Sequence, residues 1–235
     1  MASLKDRLTP KFSYQLIKPK TFCTQPVIDQ LVAYTSDTGR VYIRGDKAYP
    51  SVTTILSHSK AEQLKGWRDA VGQEYADSVK TNAGYRGTAM HNWVEELFIN
   101  GYVETTDYTL WRYFKTLIPI LETKINNIHY QETTLYSDKL GIAGRLDLVA
   151  EYEGELCIID FKSADKFRSD VLFYQSYFLQ VSAYAIMLEE LTGKNINKAK
   201  IIFGTEDSDS QVIHLNDLSV FYNDLMKVID DYKKI

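Results

Sequence analysis

Cysteine is scarce in this chain, and the scarcity excludes a good deal. Only Cys23 and Cys157 occur among 235 residues. The chain alone therefore builds no disulfide framework, no four-cysteine zinc site and no four-cysteine iron–sulfur cluster. A reduced, cytosolic protein is the expectation. Long apolar runs are missing too: none approaches the roughly 20 residues of a membrane span. The opening MASLKDRLTPKFSYQ lacks the apolar core of a secretory signal. There is no GxxxxGK[ST] phosphate loop, which removes a built-in nucleotide-driven motor. No repeat, low-complexity tract or Pro/Gly/Ser linker divides the sequence. The length suits one substantial core, so a single domain over 1–235 is expected.

Nor is there an excess of positive charge. The net charge is −4, which by itself gives no reason to expect a polyanionic partner. The charge is unevenly spread, however. Residues 1–86 hold 13 Lys/Arg against 8 Asp/Glu, whereas the remainder holds 14 against 23. A local basic face or bound cations can bind phosphate chains without a basic total.

What the sequence does contain is a legible order of elements. Residues 1–48 read as an irregular extension, with Pro10, Pro19 and Pro26, that runs into a hairpin in TGRVYIRGDKAYPSV. Pro50-Ser51 opens a short helix over VTTILS. Leu64, Trp67, Val71, Tyr75 and Val79 recur at near-helical spacing over 60–80, and a separate helix is expected over 88–100. Further helices are expected over 107–127, over 170–191 and after Asn216, with strands in KAKIIFG and QVIHL. Strands in the middle with helices before, between and after predict an α/β (α+β) fold with a mixed sheet flanked by helices.

The chemistry concentrates in GRLDLVAEYEGELCIIDFKS, residues 144–163. Asp160 sits in a run of Ile, Cys and Phe, where an unpaired carboxylate is expensive. If Glu153-Gly154 forms a two-residue turn, opposed residues sum to 307, and Asp147 faces Asp160. Their Cβ atoms would then lie about 5 Å apart on one face. Lys162 would share that face, about 7 Å along the strand. Two such carboxylates repel unless a cation sits between them, and oxygen ligands suit Mg²⁺ or Mn²⁺. A divalent cation with a lysine beside it is the minimum for phosphodiester hydrolysis, and the Phe161 carbonyl could complete its shell.

These motifs resemble the PD-(D/E)XK nuclease superfamily, specifically its RecB-like exonuclease branch. The resemblance rests on YPSVTTIL (49–56), LKGWRDAVGQEYA (64–76), AGYRGTAMHNWVEELF (83–98), GRLDLV…LCIIDFKS and QSYFLQVSAYAIML. It implies a restriction-endonuclease-like core with motifs over 49–205 and a C-terminal strand and helix over 210–233. The implied activity is a Mg²⁺- or Mn²⁺-dependent DNA exonuclease that somewhat favours single strands, with one or two ions. A structure-specific endonuclease and a catalytically silent DNA-binding subunit stay open beside it. The implied setting is the cytoplasm of a bacterial or phage-infected cell, in DNA recombination, repair or degradation. DNA is the implied partner, along with a phage or host recombination protein.

The resemblance makes Asp147, Asp160 and Lys162 catalytic, with Glu132 as the first acidic residue and His91 as a helix-borne ligand. His91, Asp147, Asp160 and the Phe161 carbonyl form the implied metal set. Gln180 and Tyr184, with Tyr177 on the same helix face, would support the site. Arg86 and Thr88, read as lying at a helix N-terminus, and Arg145 would contact DNA. Glu95, Lys166 and Arg168 are read as surface charge.

Overall fold

A computed structural model describes residues 10–29, 31–166, 171–206 and 209–234. Its centre is a five-stranded mixed sheet in the order β10-β9-β8-β7-β6, formed by Ile125–Ser137 (β6), Ile142–Tyr152 (β7), Glu155–Ala164 (β8), Ala199–Thr205 (β9) and Gln211–Leu215 (β10). Only β8 and β9 pair in parallel. Parallel neighbours need a crossover, and α5 (Gln175–Thr192) supplies it. Among the described residues this is the expected mixed α/β single domain.

Both faces of the sheet are buried, which explains the near-continuous apolar runs in LCII and KIIF. One face packs Leu146, Val149, Ile158 and Ile201 against α5, α1 (Val52–Ser59) and α6 (Tyr222–Tyr232). The other packs Leu148, Ile159, Phe161 and Ile202 against α3 (Gln73–Asn100) and α4 (Tyr108–Thr123). Ser51 caps α1 as expected, its hydroxyl accepting the Thr54 N–H at 3.0 Å.

The β7–β8 hairpin has the expected register, from Leu148↔Ile159 to Tyr152↔Glu155. Glu153 and Gly154 both take positive φ, 52° and 83°. That is the conformation a two-residue primed turn requires.

Several local expectations needed correcting. TGRVYIRGDKAYPSV belongs to a three-stranded meander of β2 (Val32–Ser36), β3 (Gly39–Arg44) and β4 (Lys47–Pro50), not a lone hairpin. The extension is not wholly irregular: β1 (Phe12–Gln15) pairs with β5 (Tyr102–Thr105), and Phe22 bridges Ile128. The helix expected to 127 stops at Thr123, because β6 begins at Ile125. The break in 60–100 falls at Gly72 (φ 88°), between α2 (Ala61–Val71) and α3. Gly84 and Gly87 are absorbed into α3, although each costs a helix interior about 1 kcal/mol relative to alanine. Leu64, Trp67, Val71, Tyr75 and Val79 are helical yet exposed. Their spacing reports the helices and not a buried face.

Candidate active site

The two central acids face each other across β6 and β7. Gln131 pairs with Leu148 and Thr133 with Leu146, which sets Glu132 opposite Asp147. Glu132 has φ 45°, a left-handed conformation unusual for a residue with a β-carbon. The pleat reverses there. Tyr130 and Leu135, of opposite parity, pack into the same core, as do Leu146 and Val149 across from them. Asp147 is also where the hairpin ladder gives out. Its Oδ2 accepts the Phe161 N–H at 2.8 Å, so a side chain takes the place of a backbone rung.

His91, from the middle of α3, closes this pair from above. Its Nε2 lies 3.0 Å from the Phe161 carbonyl oxygen, and a carbonyl only accepts, so Nε2 carries the proton. The Phe161 carbonyl, expected as a metal ligand, is thus engaged by His91. Nδ1 lies 3.4 Å from both Glu132 Oε1 and Asp147 Oδ1. Burial alone would depress the imidazolium, but Asp147 and Glu132 outweigh it and lift the His91 pKa to about 9. Burial, and then the Asp160 charge, push Asp147 well above the ordinary carboxylate range. Losing the Nδ1 proton would leave a lone pair aimed at two carboxylates. Ligand atoms of His91, Glu132 and Asp147 all fall within 4.8 Å of one another. One imidazole and two carboxylates are a donor set for a divalent cation.

Asp160 stands just outside that trio. It is fully buried; Oδ1 accepts from Gln180 Nε2 at 3.1 Å, and Oδ2 lies 2.6 Å from Lys162 Nζ. That ionic contact answers why an acid is tolerated among Ile, Cys and Phe. Lys162 is thus the cation that faces Oδ2. Lys162 also donates to Gln180 Oε1 at 3.3 Å and lies 4.9 Å from the Tyr177 ring centroid. Burial lowers its pKa, but Asp160 and Asp147 more than reverse this and keep it charged. Gln180 donates again to Tyr184 Oη at 3.0 Å. One α5 side chain thereby fixes acid, lysine and tyrosine together. Gly144 completes the packing, since a β-carbon there would lie 2.7 Å from Tyr184 Cε1.

Arg86 and Thr88 are not at a helix N-terminus, because α3 runs unbroken through both; the phosphate-binding argument built on free N–H groups there does not apply. Arg86 instead donates to Ser163 Oγ at 3.0 Å, pairs with Asp165 at 3.0 Å and stacks on Tyr113. It fastens α3 to the end of β8, two strand residues beyond the Phe161 carbonyl that His91 holds. Arg145 Nε lies 2.7 Å from Glu132 Oε2. Glu95 is not among the residues lining the site, and Arg168 lies outside the described residues.

A cleft of about 330 Å³ opens over His91, Glu132, Asp147 and Lys162, with Thr88 and Arg145 on its rim. Its far wall comes from β3 and the start of α1: Arg40, Tyr42, Ser51 and Thr53. Sequence reading missed Arg40, Tyr42 and Asn92 as cleft residues. Nothing local marks them; the Ser51↔Ala143 bridge, which lays the meander against β7, brings the wall into place. A larger cavity of about 600 Å³ between α1, α5 and α6 lies away from these acids and holds none of them.

Comparison with known proteins agrees with the geometry. The profile of the PD-(D/E)XK nuclease superfamily matches residues 58–221. The chain is 29% identical over 149 residues to mitochondrial genome maintenance exonuclease 1 of Homo sapiens, covering 57% of this chain and 42% of that protein. The Mus musculus counterpart is 27% identical over 145 residues, covering 57% of this chain and 43% of its own length. The Xenopus tropicalis counterpart is 26% identical over 201 residues, covering 79% of this chain and 57% of its own length. The chain thus spans about half the length of the exonuclease relatives it matches. With the profile covering most of its length, and with Glu132, Asp147 and Lys162 lining one cleft, this chain belongs to the PD-(D/E)XK nuclease superfamily.

Proposed function

We propose that the protein is a Mg²⁺- or Mn²⁺-dependent DNA exonuclease acting in bacterial or phage DNA recombination, repair or degradation. The observation that carries this is the convergence of His91, Glu132 and Asp147 within 4.8 Å beside a buried Asp160–Lys162 pair. One or two cations bound there would polarise the scissile phosphodiester and make water a better nucleophile. His91, Glu132 and Asp147 would hold the charge in place, and Asp160 would offer Oδ2, which faces the Lys162 ammonium at 2.6 Å, as a further ligand. The Phe161 carbonyl orients His91 through Nε2, as a supporting acceptor commonly does for a metal-binding imidazole.

Asp160 and Asp147 keep Lys162 charged in the metal-free protein, and its proposed role is that of a cation, not of a base. Its part is to stabilise negative charge developing on the phosphoryl oxygens. Gln180 holds its ammonium against Asp160 and so fixes that charge relative to the acids. A non-catalytic DNA-binding subunit would need neither the buried lysine nor its support. The wall that β3 adds across the cleft supports a preference for a single strand over a duplex at the reacting phosphate.

The test is digestion of end-labelled linear single strands, linear duplex and covalently closed circles, with and without Mn²⁺. An exonuclease releases nucleotides from ends, leaves circles intact and stops in EDTA. Cleavage of circles would make the protein an endonuclease. No metal-dependent release from any substrate would refute the enzyme.

A further inference from the structure

Each arginine on the described surface has a carboxylate partner, with one exception. Arg44 pairs with Asp29, Arg68 with Asp77, Arg86 with Asp165, Arg112 with Glu206 and Arg145 with Glu132. Arg40 pairs with none among the described residues; its only side-chain hydrogen bond there is from Nε to Thr35 Oγ1 at 3.2 Å. Among the described residues both terminal nitrogens are therefore uncommitted. Yet Arg40 lines the same cleft as His91, Glu132, Asp147 and Lys162.

The backbone of Arg40 is held firmly. Its N–H donates to Thr54 Oγ1 at 2.8 Å, and its carbonyl accepts from Ser51 N–H at 2.9 Å and from Thr54 Oγ1 at 3.2 Å. This close approach depends on Gly39 (φ 128°), where a β-carbon would lie 2.4 Å from Thr54 Cγ2. Arg40 and Tyr42 alternate along β3 to the same face, and Tyr42 is 3% exposed. A guanidinium with free donors is thus carried on an anchored strand, across a cleft from the acids.

We propose that Arg40 binds a phosphate of the substrate strand next to the one being cleaved. This rests on the metal-dependent nuclease reading and deepens it by naming a second phosphate subsite. A planar fork with unused donors suits a phosphate better than any other ligand of a polynucleotide. The acids opposite cannot take that role, because their charge repels phosphate until a cation is bound. Arg145 cannot either without releasing Glu132. The substrate is then a chain of at least two phosphodiesters, and a compound with one cannot use Arg40.

The test compares wild type, Arg40→Ala and Arg40→Lys on two substrates with Mn²⁺: a single-stranded oligonucleotide and bis(p-nitrophenyl) phosphate. Losing a charge-assisted bond to phosphate predicts about a 10- to 100-fold rise in KM on the oligonucleotide for the alanine variant, with partial recovery in the lysine variant. The loss on the single phosphodiester should be at least ten-fold smaller. Fluorescence anisotropy with the oligonucleotide in Ca²⁺ should show the same order of affinities without turnover. Equal losses on both substrates, or unweakened oligonucleotide binding by Arg40→Ala, would overturn the subsite. Wild-type inactivity on both substrates, with weakened anisotropy binding in Arg40→Ala, would instead overturn the nuclease reading and keep the phosphate contact.

Discussion

Replacing Gly144 with alanine should disable the site from a position that carries no chemistry. The added β-carbon would sit 2.7 Å from Tyr184 Cε1, nearer than real β-carbons come, and 3.6 Å from Cζ. Tyr184 is 2% exposed, in the middle of α5, so its ring has little room to give way. Overpacking of this kind costs about 1–3 kcal/mol. In a protein of this size each kcal/mol lowers Tm by about 2–4 °C. Displacing Tyr184 also strains its hydrogen bond from Gln180, the residue that sets Asp160 and Lys162. A misplacement of about 1 Å there costs on the order of 100-fold in rate. Scanning calorimetry and oligonucleotide kinetics would read the two effects separately. Adding Tyr184→Leu should return most of the lost stability by making space, but not the rate, since Gln180 stays unsupported. If Gly144→Ala keeps both wild-type Tm and wild-type rate, the packing argument is wrong.

Other perturbations separate the roles of neighbouring groups. Lys162→Met should reduce hydrolysis about 10²- to 10³-fold, as loss of an electrostatic donor does. Its Mn²⁺ affinity should hold or improve, because Asp160 Oδ2 is released from the ammonium; a variant with weaker cation binding would make the lysine structural. Glu132→Gly removes a proposed ligand but also relieves a left-handed conformation that costs a β-carbon residue about 1 kcal/mol. Tm without metal should therefore hold or rise while Mn²⁺ affinity falls at least ten-fold, and a Tm several degrees lower would argue against stored strain. Both His91 and Asp147 have raised pKa values, so the folded metal-free protein binds more protons than the unfolded chain. The His91 part of that stability is fully present below its ordinary 6.5 and is lost as pH rises through about 9. A cation must displace the same protons, so Mn²⁺ affinity should climb between pH 6 and 9. A pH-independent Kd in that range would remove His91 from the ligand set.

Much of the centre was legible because it is local. Glu153-Gly154 specifies the turn, the turn specifies the register as far as Leu148↔Ile159, and this brings Asp147, Asp160 and Lys162 within electrostatic reach of one another. Parity alone could not foresee that Asp147 would take the Phe161 N–H, because the pleat reverses at a left-handed Glu132 in the neighbouring strand. Glycine misled at AGYRGT, where packing of the C-terminal half of α3 from Met90 onward outweighs two unfavourable residues. Apolar spacing misled at Leu64–Val79, since periodicity reports helix but not what covers it. Arg40 was invisible for a third reason: it enters the cleft only through contact between the meander and β7, far apart in sequence.

The central claim is that His91, Glu132 and Asp147 are a cation site, with Asp160 as a further ligand. Anomalous diffraction from crystals soaked in Mn²⁺ tests it most directly. A peak bonded to His91 Nδ1, Glu132 and Asp147 is expected, and it should be abolished in Asp147→Ala. A peak elsewhere, or none at saturating Mn²⁺ under conditions that support cleavage, would contradict it.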